Sequence, residues 1–131
     1  MKQVLIVDDD PSVRRMLELT FASAGFSVAT ASNGVEAMKT VELRHFDLAV
    51  MDMVMPEKEG IETIIELKEK RPDMRIIAVS GGARFGLTGE VKLEAQDALR
   101  LARRIGANYC FSKPVDNEAL IAAARELTGQ E

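Results

Sequence analysis

The sequence predicts an α/β domain, a doubly wound sheet of five parallel strands with helices on both faces. Three observations predict it. Five short apolar runs, at 4–7, 26–31, 48–51, 75–79 and 109–112, have strand length. Amphipathic stretches with apolar residues three and four apart separate them, the alternation that builds parallel sheets through right-handed crossovers. Four of the runs end in a polar or charged residue: Asp8, Asp52, Ser80 and Lys113. At 131 residues the chain reads as one domain, 1–131.

Each element has its own signals. Val4-Leu5-Ile6-Val7 is β-branched and uninterrupted, and it stops at Asp8-Asp9-Asp10. Asp10 before Pro11 marks a helix start, with the acid as N-cap and the proline at the first helical position. Val13, Met16, Leu17, Thr20, Phe21 and Ala24 form its inner stripe, and Gly25 its stop. Phe26–Ala31 is a weaker strand. Asn33-Gly34 turns into a helix from about Val35 to Arg44, with Ala37, Met38 and Val41 inward. Leu48-Ala49-Val50-Met51 is apolar throughout, as a strand buried on both faces must be. A third helix carries Ile61, Ile64, Ile65 and Leu67 and closes at Pro72-Asp73. Arg75–Val79 is the fourth strand and Tyr109–Ser112 the fifth. The last helix runs from about Asn117 to Leu127, with Asp116 as cap and Leu120, Ile121, Ala124 and Leu127 inward.

One segment breaks the rhythm. Four glycines fall between 81 and 89, and the connection runs to about 92. Such a long glycine-rich insertion is either a functional loop or a tolerated surface excursion. The fourth helix follows from near Leu93, with Ala95, Ala98, Leu99, Ala102 and Ile105 as its stripe.

Composition excludes several classes. A net charge of −4 argues against a nucleic-acid binder driven by phosphate contacts. Arg100, Arg103 and Arg104 cluster on a helix, where a solvated face accounts for them. Cys110 is the single cysteine, so no internal disulfide forms, and its apolar neighbours suggest a buried thiol. His45 is the single histidine, which argues against a histidine metal cage or a catalytic triad. The apolar run after Met1-Lys2-Gln3 is too short for a leader or a membrane span. The expectation is a cytoplasmic, stand-alone protein with Met1 as its natural start.

In a parallel sheet the C-terminal strand ends share one edge, where open α/β sheets keep their binding crevice. Asp8, Asp9 and Asp52 are therefore predicted to converge there with Ser80 and Lys113. Any one of these residues alone is an ordinary turn or cap; their joint placement is what points to chemistry. Three carboxylates repel one another unless a proton or a cation joins them. A donor set of hard oxygens selects Mg²⁺ or a similar ion. Asp52 is then a candidate phosphoryl acceptor, with Lys113 supplying positive charge and Ser80 a hydroxyl to the phosphoryl oxygens.

These residues carry a resemblance to the receiver domains of response regulators, and it covers essentially the whole chain. It rests on Val4 to Pro11, Asp52 with Met55-Pro56 and Gly60, Ser80, Gly106-Ala107 and Lys113-Pro114. The resemblance implies the flavodoxin-like strand order 2-1-3-4-5, with Asp52 as phosphoacceptor. It implies Asp8, Asp9, Asp52 and the Val54 backbone carbonyl around Mg²⁺, and Ser80 and Lys113 against the phosphoryl group. It implies a phosphohistidine donor on a sensor histidine kinase or histidine phosphotransfer protein, and a Lys113–Pro114 bond that is commonly cis. A downstream protein would dock on the face of the fourth helix, fifth strand and fifth helix. The implied protein is a signalling switch and not a metabolic enzyme.

Two departures from the family pattern matter. The position three before the lysine, often a switching aromatic, is Cys110, and strand alternation sends Tyr109 to the other face. The glycine-rich insertion at 81–92 is then the candidate switch element. Val54 is apolar where a polar side chain could hold a hydrolytic water, so a long-lived aspartyl phosphate is expected. Three rival readings remain: a phosphate shuttle or sink, a receiver-like interaction module that is never phosphorylated, and a Mg²⁺-dependent phosphatase. The phosphatase is disfavoured because Met53 and Val54 offer no second acid.

Overall fold

The protein is described by a computed structural model covering residues 1–53, 57–80, 100 and 102–130. Five parallel strands, β1 (Gln3–Val7), β2 (Ser27–Ala31), β3 (Leu48–Asp52), β4 (Arg75–Ser80) and β5 (Tyr109–Ser112), form one sheet in the order β2-β1-β3-β4-β5. Helices α1 (Pro11–Ser23), α2 (Gly34–Leu43), α3 (Glu57–Lys70) and α5 (Asn117–Thr128) connect or follow them. Residues 102–105 are helical and are labelled α4. The fold class and strand order are those expected. The 81–92 insertion, Val54 to Pro56, and the stripe residues Ala95, Ala98 and Leu99 lie outside the described residues.

Alternation along the strands builds two cores. Leu5, Val7, Ala49, Met51, Ile76 and Ala78 face α2, α3 and Ala102. Val4, Ile6, Leu48, Val50, Ile77 and Val79 face Leu17 and Phe21 of α1 and Leu120 and Ala124 of α5. Every residue of β3 is buried, which explains its unbroken apolar run.

The helix starts follow their caps. Asp10 accepts hydrogen bonds from the Ser12 and Val13 amides. Asn33 accepts from the Glu36 amide while the Glu36 carboxylate reaches back to Ser32, a reciprocal arrangement that fixes the α2 entry. Two stripe residues depart from expectation. Met16 is 46% exposed and Ile65 39% exposed. The inner line of α1 runs through Leu17 and Phe21, four residues apart, and Met16 sits at its margin. In α3 the inward positions are Thr63, Ile64 and Leu67, so a buried threonine takes the place given to Ile65. Among the described residues no helix is long and apolar enough to cross a membrane.

Candidate functional site

Parallel register brings the polar strand ends together. Val7 pairs with Met51, Asp52 with Val79, and Ser80 with Ser112. Backbone bonds just past the ladders fix the next residues: Asp8 N–H donates to Ala31 O at 3.1 Å, Met53 N–H to Val79 O at 2.7 Å, and Lys113 N–H to Ser80 O at 2.8 Å. Asp8, Asp52, Ser80 and Lys113 therefore end four neighbouring strands at one sheet edge.

Asp8 is 1% exposed, Asp52 2% and Ser80 3%. Carboxylate oxygens of Asp8, Asp9 and Asp52 all lie within 4.8 Å of one another, with Asp9 at the exposed rim. The Lys113 ammonium stands 3.6 Å from Asp8 Oδ2 and 3.6 Å from Asp52 Oδ1. That nitrogen is buried and holds both ion pairs without a hydrogen bond among the described residues. The Lys113–Pro114 peptide bond is cis, as the resemblance implied.

Burial drives the Asp8 carboxyl up to about 6. The Asp10 amide, donating to Asp8 Oδ1 at 2.9 Å, and the Lys113 charge hold it down, while the Asp52 carboxylate pushes it further up. Three carboxylates against one ammonium leave an excess of two negative charges when all are ionised. One divalent cation balances that excess. Oxygens separated by up to about 4–5 Å can reach a single hard cation. The donor set therefore fits Mg²⁺, the ion expected from the sequence.

The third acid of the run has a different place. Asp10 accepts from the Ser12 amide, the Ser12 hydroxyl and the Val13 amide, and it caps α1. Val54, the remaining expected ligand, lies outside the described residues.

Two features at this edge escaped sequence reasoning. Arg14 Nη1 donates to the Asp8 carbonyl at 2.8 Å; a cation one turn into the helix after an acidic run was the available signal. Gly60 lets α3 approach the end of β3: a Cβ there would stand 3.3 Å from Met53 Sδ and 3.4 Å from Asp52 O. Cys110 packs against the α2–α3 core and is half-buried, and burial raises its thiol pKa. Tyr109 lies on the other face, as alternation required, and its hydroxyl donates to Glu126 of α5 at 2.7 Å. Arg100, Arg103 and Arg104 are exposed.

Comparison with known proteins agrees with this geometry. A family model described as response regulator receiver domain matches residues 4–125. The response regulator receiver protein CpdR of Brucella abortus is 36% identical over 87 residues, which cover 66% of this chain and 72% of CpdR. A CheY-like receiver domain protein of Methanospirillum hungatei superposes with a TM-score of 0.80 at 27% identity, covering 99% of this chain and 96% of that one. The response regulator TrrA of Thermotoga maritima, solved in complex with Mg²⁺-BeF, gives a TM-score of 0.73 at 27% identity, over 97% of this chain and 99% of TrrA. Against two transcriptional regulatory proteins of Escherichia coli, 30% identical over 120 residues, the chain spans 24% of their length.

Proposed function

The chain belongs to the response regulator receiver domain family of two-component signalling, and from that premise we propose that it accepts a phosphoryl group on Asp52. One observation carries the reading: three carboxylates share a pocket with a lysine ammonium 3.6 Å from two of them. So much like charge in a buried site costs stability, and a structural role alone would not require it.

An Asp52 oxygen attacks phosphorus, a P–O bond forms, and the P–N bond to the donor imidazole breaks. The donor imidazole, protonated on its other ring nitrogen before transfer, takes the P–N electron pair and leaves neutral. Asp8, Asp9, Asp52 and, on the family pattern, the Val54 carbonyl would hold Mg²⁺, which neutralises charge at the phosphoryl oxygens when bound. The Lys113 ammonium moves from its carboxylate partners to a phosphoryl oxygen. Ser80, whose carbonyl already accepts the Lys113 amide, offers its hydroxyl to another. TrrA, solved with Mg²⁺-BeF, supports the metal assignment.

The donor is a phosphohistidine on a sensor kinase or a phosphotransfer protein, and a downstream protein reads the face of α4, β5 and α5. Cys110 in the switching position, with Tyr109 tied to Glu126, favours a second reading as a phosphate shuttle or sink, since both aromatic residues of β5, Tyr109 and Phe111, pack on the face of α1 and α5. Incubation with a small acyl phosphate tests the assignment. Labelling of the wild type requires Mg²⁺ and disappears in Asp52→Asn; labelling that survives the substitution refutes it.

A further inference from the structure

We infer that Arg14 is a positioning residue of the acidic site, holding the Asp8–Asp9 peptide in the orientation that receives a divalent cation. The inference rests on the metal reading proposed above.

The turn after β1 is held at three points. The Asp10 amide fixes the Asp8 carboxylate at 2.9 Å. Asp10 in turn accepts from the Ser12 and Val13 amides and fixes the start of α1. Neither contact touches the peptide that joins Asp8 to Asp9. That peptide's oxygen receives Arg14 Nη1 at 2.8 Å. The Asp8 N–H makes the last bond to β2, on Ala31 O, and β2 ends at Ala31. Beyond the strand end, the guanidinium does what the next ladder amide would have done.

This matters most for Asp9. Its carboxylate is exposed, and no hydrogen bond or ion pair to another described residue restrains it. Its location within 4.8 Å of the Asp8 and Asp52 oxygens depends on its backbone. The plane of the Asp8–Asp9 peptide sets that backbone, and Arg14 sets the plane. Groups that orient metal ligands commonly change affinity by tenfold or more when removed.

The sign of the effect separates positioning from simple electrostatics. A guanidinium beside a cation site repels the cation, so charge alone predicts tighter binding when Arg14 is neutralised. Positioning predicts weaker binding. Neighbouring Arg15 is the control: it pairs with Glu18 at 3.0 Å on the exposed side of the same helix.

The test titrates the full chain with Mn²⁺, reading free ion by electron paramagnetic resonance. Arg14→Met should raise the dissociation constant roughly tenfold, Arg14→Lys should recover part of that loss, and Arg15→Met should leave it unchanged. Labelling by acyl phosphate should show a higher half-saturating Mg²⁺ concentration and an unchanged rate at saturation. Metal-free thermal melts identify a variant that does not fold, and Arg14→Lys then carries the comparison with wild type. Arg14→Met binding Mn²⁺ as tightly as wild type, or more tightly, overturns the inference, as does a fall in saturating rate alone. Wild type that binds no Mn²⁺, or Asp9→Asn that binds as wild type does, overturns the metal reading itself.

Discussion

The two ends of this sheet are made from the same strands and have opposite polar chemistry. At the N-terminal end every polar group named here meets a matching partner. Asp47 accepts the Gln3 amide at 2.8 Å and contacts His45 at 3.1 Å. Asn108 exchanges bonds with the Ile76 backbone, at 2.7 and 2.9 Å. Lys68 donates to the Met74 carbonyl at 2.9 Å. At the C-terminal end, carboxylates crowd one another and a buried ammonium sits between two of them at 3.6 Å. The titrations follow. Burial pushes the carboxyls of Asp8 and Asp47 alike upward, but at Asp47 the Gln3 amide and His45 outweigh it and the net shift is downward. Polar groups that are satisfied hold a fold together; polar groups in excess are kept for a ligand.

The contrast can be broken experimentally, beginning where the effect is largest. Lys113→Met removes the ammonium set between Asp8 and Asp52. Labelling by acyl phosphate should fall by roughly 100-fold or more, and urea melts without metal should show a loss on the order of 3 kcal/mol. Asp8→Asn should act in the opposite direction on metal-free stability. Because the folded Asp8 titrates near 6, the folded state keeps a proton that the unfolded chain releases. Its contribution is complete below about pH 4 and is lost as pH rises through 6. Asp8→Asn should flatten that decline and stabilise the metal-free protein at pH 7 by on the order of 2 kcal/mol, while weakening Mg²⁺-dependent labelling. Asp47 has the reverse sign: its contribution is present at neutral pH and is lost as pH falls below about 4. A melt series of Asp8→Asn and Asp47→Asn against pH checks both.

The next effect belongs to the N-terminal end. Gly106 has φ +129°, and a Cβ there would meet Lys68 Cε at 2.8 Å and Cγ at 2.9 Å. Gly106→Ala should cost about 1–3 kcal/mol by thermal melt and leave labelling at Asp52 intact. The smallest effect is His45→Gln. Its partner Asp47 keeps the Gln3 amide, and the His45 side chain is 75% exposed, so the change should stay within about 0.5 kcal/mol.

Strand positions and most helix faces were legible because alternation and helical spacing are local properties of the chain. Asp10 and Asp116 as caps were equally local. The site was legible because parallel strands convert distant polar ends into neighbours. Thr63 in place of Ile65 was not, since both spacings fit a helix and only the packing of α3 on the sheet chooses. Arg14 was not, because its partner is a backbone carbonyl: a cation one turn into the helix after an acidic run points to that end of the sheet without saying which oxygen lacks a ladder amide. Gly60 was present in the motif without its reason, which is the close approach of α3 to Asp52 and Met53.

The Gln130 side chain accepts the Lys2 amide at 2.9 Å and donates to the Gly25 carbonyl at 2.7 Å. This small clasp places residues 2 and 130 side by side, at the end of the sheet away from Asp52. A short linker could join them, and a circular permutant opened in a surface turn should keep all five strands in register. A fluorescent protein fused at either residue would likewise attach at the end of the sheet opposite Asp52, so reporters of its phosphorylation can be built away from the acidic pocket.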